Sequence, residues 1–194
     1  ISSIRPNVIE YYLKHSQIET IMSQFNLIDN RPERLLNHIH SHGVKVLARG
    51  PVFKGLLTSN SVNVLDQKFS DGIFDYNYHE LGETIASVKE VESNLSALSF
   101  EYLKSHDALG SIIVGASSVS QLKDNIANFN KTVSLDQIKS ARHRVKDLEY
   151  TQHLKSVGLC ILPYLGIFLV LLFEYFYKEV PSFSFSLDLQ LHEC

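Results

Sequence analysis

IIVGASSVSQLKDNI, residues 112–126, is the stretch on which the fold turns. A β-rich run, Ser111–Val114, meets Gly115, and an apolar stripe of Val119, Leu122, Ile126 and Phe129 follows at helical spacing. That is one strand running through a glycine into one helix. Upstream, Val44–Ala48 (VKVLA) is a second compact strand candidate, and Ile18–Ile28 (IETIMSQFNLI) contains a third. Between these two, Pro32 suits a first helical turn, Leu35, Leu36 and Ile39 follow at helical spacing, and Gly43 supplies a stop.

In Leu81–His106, Ile85, Val88, Val91, Leu95, Leu98 and Leu103 recur near three or four residues apart, which predicts a long helix, broken at most once. Ser134 with Gln137 forms a capping box that opens a helix from Leu135 to about Leu154. The resulting order is strand, helix, strand, helix, strand, helix, helix. Such alternation predicts an α/β fold with a parallel sheet covered by helices, its functional loops at the carboxyl ends of the strands. The stretch Leu57–Glu80 lies at that end and is longer than ordinary connections, so it is expected to be a binding lid.

Composition narrows the function classes. The 194 residues are 44% apolar with a formal charge of -3, enough for a buried core and without a basic stripe for nucleic acid. Both cysteines, Cys160 and Cys194, fall in the last stretch, which excludes a disulfide framework over residues 1–159 and fits a reducing cytoplasm. The start at Ile1, with no methionine or signal-type segment, carries the expectation that a longer protein precedes it.

After Lys155 the character changes. Val157–Phe173 (VGLCILPYLGIFLVLLF) is uncharged over seventeen residues. As a helix it would reach about 25 Å, near the lower bound for crossing a bilayer. The chain therefore divides into 1–154 and an apolar tail, 155–194, read either as a membrane anchor or as a read-through segment. Arg142, Arg144, Lys146 and Lys155 before it would leave the body on the cytosolic side.

Three segments, in order, resemble those of the aldo-keto reductase superfamily: Ser23-Gln24-Phe25-Asn26, VKVLARGPVFKGLLT from Val44 to Thr58, and IIVGASSVSQLKDNI. The resemblance runs from Ile1 to about Leu154. It implies a partial TIM (β/α)8 barrel, about the last four βα units plus C-terminal helices, from an enzyme that moves hydride between NADPH and a carbonyl compound. Ser2 and Ser3 resemble the family's Ser-Asn pair after the fifth strand, and Gln24 the glutamine after the sixth; these hold the nicotinamide carboxamide. A frayed end for the serines and a core hydrogen bond for Gln24 are the structural alternatives.

Arg49, Gly50, Pro51, Gly55, Leu56, Leu57 and Thr58 resemble the turn after the seventh strand, where the family brings backbone amides to the pyrophosphate. A tight turn alone accounts for them equally. Many members carry an aromatic ring for nicotinamide stacking where this chain has Arg49; a guanidinium could stack, pair with phosphate, or form an ion pair. Gly115, Ala116, Ser117, Gln121 and Asn125 resemble the loop and helix start around the adenosine phosphate. Ser117 and Gln121 stand where many members have Lys or Arg, so NADH remains open beside NADPH. Ser117-Ser118 also read as helix caps.

The family's catalytic tyrosine, lysine, aspartate and histidine belong to the other half of its barrel, and no residue here is assigned a catalytic role; Tyr76, Tyr78 and Lys54 lie outside the corresponding motifs. His38, His40 and His42 cluster without a matching cysteine or carboxylate motif, so no metal is assigned. Glu90 and Glu92 read as a solvated helix face. About four strands would leave two open sheet edges. The expectation is a fragment of an NAD(P)H-dependent oxidoreductase, inactive alone, whose carbonyl substrate belongs to the full-length parent. The alternative is a non-catalytic nucleotide-binding or pairing module, tail-anchored through 157–173.

Overall fold

On β2 (Lys45–Arg49), Val46 and Ala48 are buried, Leu47 is half-buried, and Lys45 and Arg49 are exposed. This alternation marks a strand with one covered face. β2 pairs in parallel with β1 (Thr20–Gln24) on one side and β3 (Leu109–Ile113) on the other. The structure, a computed structural model, describes residues 1–151, and Ile1–Tyr150 form one unit. Ahead of β1, the first residues add a short parallel bridge: Ser3 N donates to Met22 O at 3.0 Å and Met22 N to Ile1 O at 2.7 Å. Among the described residues the sheet is thus three strands and one bridge, rather than about four full strands.

Parallel neighbours require crossovers. Helix α1 (Pro6–His15) leads into β1, and a short 3-10 turn with α2 (Leu36–Ser41) joins β1 to β2. Between β2 and β3 run α3 (Ser61–Lys68), α4 (Tyr78–Val91) and α5 (Leu95–Lys104). After β3 come α6 (Val119–Phe129) and α7 (Leu135–Arg142). The core forms where Ile21, Val46 and Ala48 of the sheet meet Ile9, Ile39, Leu98 and Leu103 of the helices. Each fully buried Ile or Leu contributes about 1.5–3 kcal/mol. Opposite lie Met22, Gln24, Leu47, Arg49, Ser111 and Ile113, none of them fully buried.

Three expectations change. Leu57–Glu80 is not a free lid: it carries α3, and Val64, Phe69 and Tyr76 are buried, with the Phe69 ring stacked on Phe53 at 5.3 Å. The polar residues interspersed in SVNVLDQK hide its apolar spacing. Leu81–His106 is broken once, within what its spacing allowed, because Asn94 caps the second helix by accepting from Ala97 N at 3.1 Å. α7 ends at Arg142 rather than near Leu154. Tertiary bonds take over there: Asn30 donates to Lys146 O at 2.8 Å and accepts from Leu148 N at 2.9 Å, which pulls the chain out of the helix. α1, with Pro6 at its first turn and Ile9 buried, adds a helix beyond those expected. The 157–173 stretch lies outside the described residues; among those described, no helix is long and apolar enough to cross a membrane.

Glu33 ties the last helix to the body. Arg142 Nε donates to its Oε2 at 2.8 Å, and His106 Nε2 approaches Oε1 at 3.4 Å. Burial alone would raise the Glu33 pKa, but the bonds to His106 and Arg142 outweigh it and bring the carboxyl to about 2. Because the folded value is depressed, this stabilisation is complete above the usual glutamate pKa of about 4.3. It is lost as pH falls toward about 2.

Glu33→Gln is expected to cost about 1–2 kcal/mol at pH 7, discounted for partial exposure. It should also flatten the decline in urea midpoint between those two pH values. An unchanged acid decline would show that Glu33 does not carry it. At the register shift beside Val46, a Cβ on Gly110 would stand 2.8 Å from Lys45 Cβ. Gly110→Ala should therefore destabilise by about 1–3 kcal/mol in the same measurement.

Candidate functional site

Register brings the expected residues together. Gln24 pairs with Arg49, and Arg49 with Ile113, so one rung crosses the sheet at its carboxyl edge. Ser2 bridges Met22 on the same side of β1, two residues before Gln24. Arg49 Nη1 donates to Gln24 Oε1 at 3.3 Å. This contact orients the Gln24 carboxamide and leaves its NH2 group available to a ligand. Both side chains point to the uncovered face, because the residues between them in the pleat, Ser23 and Ala48, are buried on the other.

The loop after β2 closes on itself. Gly50 and Gly55 hold φ of +68° and +98°, a left-handed region that favours glycine. The amides of Phe53, Gly55, Leu56 and Leu57 all donate to carbonyls within Gly50–Phe53. α5 then buttresses the loop: Ser99 Oγ donates to Pro51 O at 2.6 Å and Ser96 Oγ to Leu57 O at 2.8 Å. Pro51 and Leu57 are buried. The expectation that Gly55 and Leu57 offer free amides to a pyrophosphate is therefore corrected. They shape the loop, and the surface they support is that of Arg49 and Gly50.

Beyond β3, Gly115, Ala116 and Ser117 are exposed ahead of α6. Ser118 Oγ accepts from Gln121 N at 3.2 Å and caps the helix. Gln121 Oε1 in turn accepts from Ser117 N at 2.8 Å and Ser117 Oγ at 2.9 Å. Asn125 Nδ2 reaches Gly115 O at 3.4 Å. Four of the residues expected here thus form two bonded pairs, Ser117 with Gln121 and Gly115 with Asn125, at the exposed start of α6.

Asn26, the last residue of the Ser23-Gln24-Phe25-Asn26 motif, has a role that the motif alone does not reveal. The side chain is buried, donates to Gly50 O at 2.9 Å, and accepts from Ile28 N at 3.1 Å and Asp29 N at 2.8 Å. One amide thus joins the loops after β1 and β2; the Asn-x-x-Asp spacing, typical of an Asx turn, was its available signal. His38, His40 and His42 are not arranged as a ligand set. His38 Nε2 meets Glu10 Oε2 at 2.7 Å, and His42 Nδ1 meets the His38 carbonyl at 2.9 Å. No group of three or more His, Cys, Asp or Glu among the described residues is arranged to hold a metal.

The sequence profile described as Aldo/keto reductase family matches residues 1–144. The uncharacterized oxidoreductase YqkF of Bacillus subtilis (strain 168) is 40% identical over 157 residues, which are 79% of this chain and 51% of the relative. Among solved structures, aldo-keto reductase AKR11C1 from Bacillus halodurans in its apo form superposes with a TM-score of 0.69 at 36% identity. The match covers 79% of this chain and 52% of that one. Its holo form gives the same TM-score and identity over 51% of that chain. The chain spans about half the length of the relatives it matches. An α/β unit of parallel strands, matched along most of its length by sequence and by structure, belongs to the aldo/keto reductase family.

Proposed function

We propose that this chain is the dinucleotide-holding half of an NAD(P)H-dependent carbonyl reductase. The observation that carries the reading is the alignment of Gln24 and Arg49 on one rung, with the bonded pairs Ser117–Gln121 and Gly115–Asn125 following the next strand. A dinucleotide needs polar contacts at both ends, and these residues supply them along one sheet edge. The Gln24 amide is suited to a carboxamide, and the α6 start with Ser117 and Gln121 to an adenosine phosphate. Asn26 and Ser99 keep the intervening loop in place. When bound, the cofactor supplies the hydride that reduces a carbonyl.

NADPH is the proposed cofactor, with NADH admitted because Ser117 and Gln121 are uncharged. Reduction of a carbonyl substrate is assigned to the whole barrel and not to this chain alone. A cytoplasmic setting fits the absence of cysteine from residues 1–159.

Titrating the 194-residue chain with NADPH tests the reading. The expected result is a saturable rise in nucleotide fluorescence that weakens about tenfold in Gln121→Ala. The chain alone should not oxidise NADPH in the presence of a carbonyl compound; turnover above background would overturn that part. No saturable binding, even after addition of the amino-terminal half of YqkF, would overturn the cofactor role.

A further inference from the structure

Among the described residues, positive φ outside glycine occurs at Phe53 (+44°), Lys54 (+56°) and Phe74 (+54°), and all of these lie around one set of rings. Phe53 and Lys54 are neighbours in the loop after β2. Phe74 lies in the turn between α3 and α4, where Ile73 N donates to Tyr76 O at 2.9 Å and Tyr76 N to Ile73 O at 3.0 Å. The Phe53 ring stacks on Phe69 at 5.3 Å and on Phe74 at 6.0 Å. Left-handed backbone is unfavourable for a residue with a Cβ, and two such residues in succession persist only where their surroundings hold them.

Hydrogen bonds hold the rest of this loop, through Ser99 on the Pro51 carbonyl and Ser96 on that of Leu57. What reaches the strained pair is different: two rings on Phe53, and Lys68 Nζ, which donates to Lys54 O at 3.0 Å. Phe74 is 37% exposed, so burial alone does not fix its ring. Arg31 does: its guanidinium carbon stands 4.1 Å from the ring centre, within cation–π reach. Arg31 is itself fixed, with Nε donating to Asp29 Oδ1 at 2.7 Å and Nη2 to Oδ2 at 2.9 Å. Asp29 N donates to Asn26 Oδ1, and Asn26 Nδ2 to Gly50 O. The contacts therefore run in a circuit from Gly50 through Asn26, Asp29, Arg31 and Phe74 to Phe53 in the same loop.

We propose that Phe74, held by Arg31, is a positioning residue whose ring keeps Phe53 and Lys54 left-handed, and so keeps the loop that sets Gly50 and Arg49 at the carboxyl edge. Its effect on nucleotide binding rests on the function proposed above; its effect on the loop does not. Without the ring, Phe53 retains one stacked neighbour, and less holds the strained pair. Tyrosine at position 74 preserves the stack, whereas glycine at position 54 removes the steric penalty that the stack offsets. Lysine at position 31 keeps the charge but loses the planar contact and the paired bonds to Asp29.

The test is hydrogen exchange of the nucleotide-free 194-residue chain, read at the Phe53, Gly55, Leu56 and Leu57 amides. In Phe74→Ala their protection should fall about tenfold while the β2 amides keep theirs. Phe74→Tyr should stay close to the parent chain, and Lys54→Gly added to Phe74→Ala should restore most of the loss. Unchanged protection in Phe74→Ala overturns the proposal, as does an equal loss in Phe74→Tyr, an equal loss across β2, or no recovery with Lys54→Gly. If Phe74→Ala does not fold, Arg31→Lys decides: lower protection in the loop alone supports the role, and unchanged protection overturns it.

NADPH titration of the same variants separates this role from the cofactor reading. Binding should weaken about fivefold or more in Phe74→Ala and not in Phe74→Tyr. Unweakened binding in a variant whose loop has loosened overturns the link from Phe74 to the nucleotide and leaves the cofactor reading standing. A loop that responds as expected in a chain that never binds NADPH sustains the positioning role and removes the cofactor reading.

Discussion

Within residues 1–151 the arrangement depends on β2 being paired in parallel on both sides. Parallel strands cannot be joined by tight turns, so each connection must cross over through helices, and those helices bury one face of the sheet. The same constraint sends every strand end to one edge. Gln24, Arg49 and Ile113 therefore share a rung although they are far apart in sequence. The candidate site is a consequence of strand direction before it is a property of any single side chain.

Support for that edge comes from behind. Ser96 and Ser99 of α5 spend their hydroxyls on the carbonyls of Leu57 and Pro51, and Asn26 spends its amide on Gly50. A buried carbonyl without a partner would be costly, so these bonds hold the loop after β2 in one conformation. The result leaves Arg49 exposed on a rigid base. The ion-pair network around Glu33 acts at a different place, fastening α7 to the segment after β1.

The uncovered sheet face has a counterpart in α6. Val119, Leu122, Ile126 and Phe129 recur at helical spacing, yet none is buried among the described residues, and Val119 is 71% exposed. In a closed barrel, inward side chains pack in layers contributed by all the strands, and three strands with one bridge cannot complete those layers. The chain spans about half the length of the relatives it matches, and among its described residues one face of the sheet is left uncovered.

Strand positions, the glycine-marked ends of β2 and β3, and the caps at Ser118 and Ser134 were legible in residue order alone, because each depends on local chemistry repeated over a few positions. Family membership was legible for the same reason: its motifs are short and continuous. Residue order could not reveal that Leu57 is core, that the amides of its loop bond inward, or that α7 stops at Arg142 to let Asn30 hold Lys146 and Leu148. Nor could it reveal that the Phe74 ring meets Phe53 and Arg31. Those outcomes depend on which distant groups arrive within hydrogen-bond reach, and only the folded chain decides that.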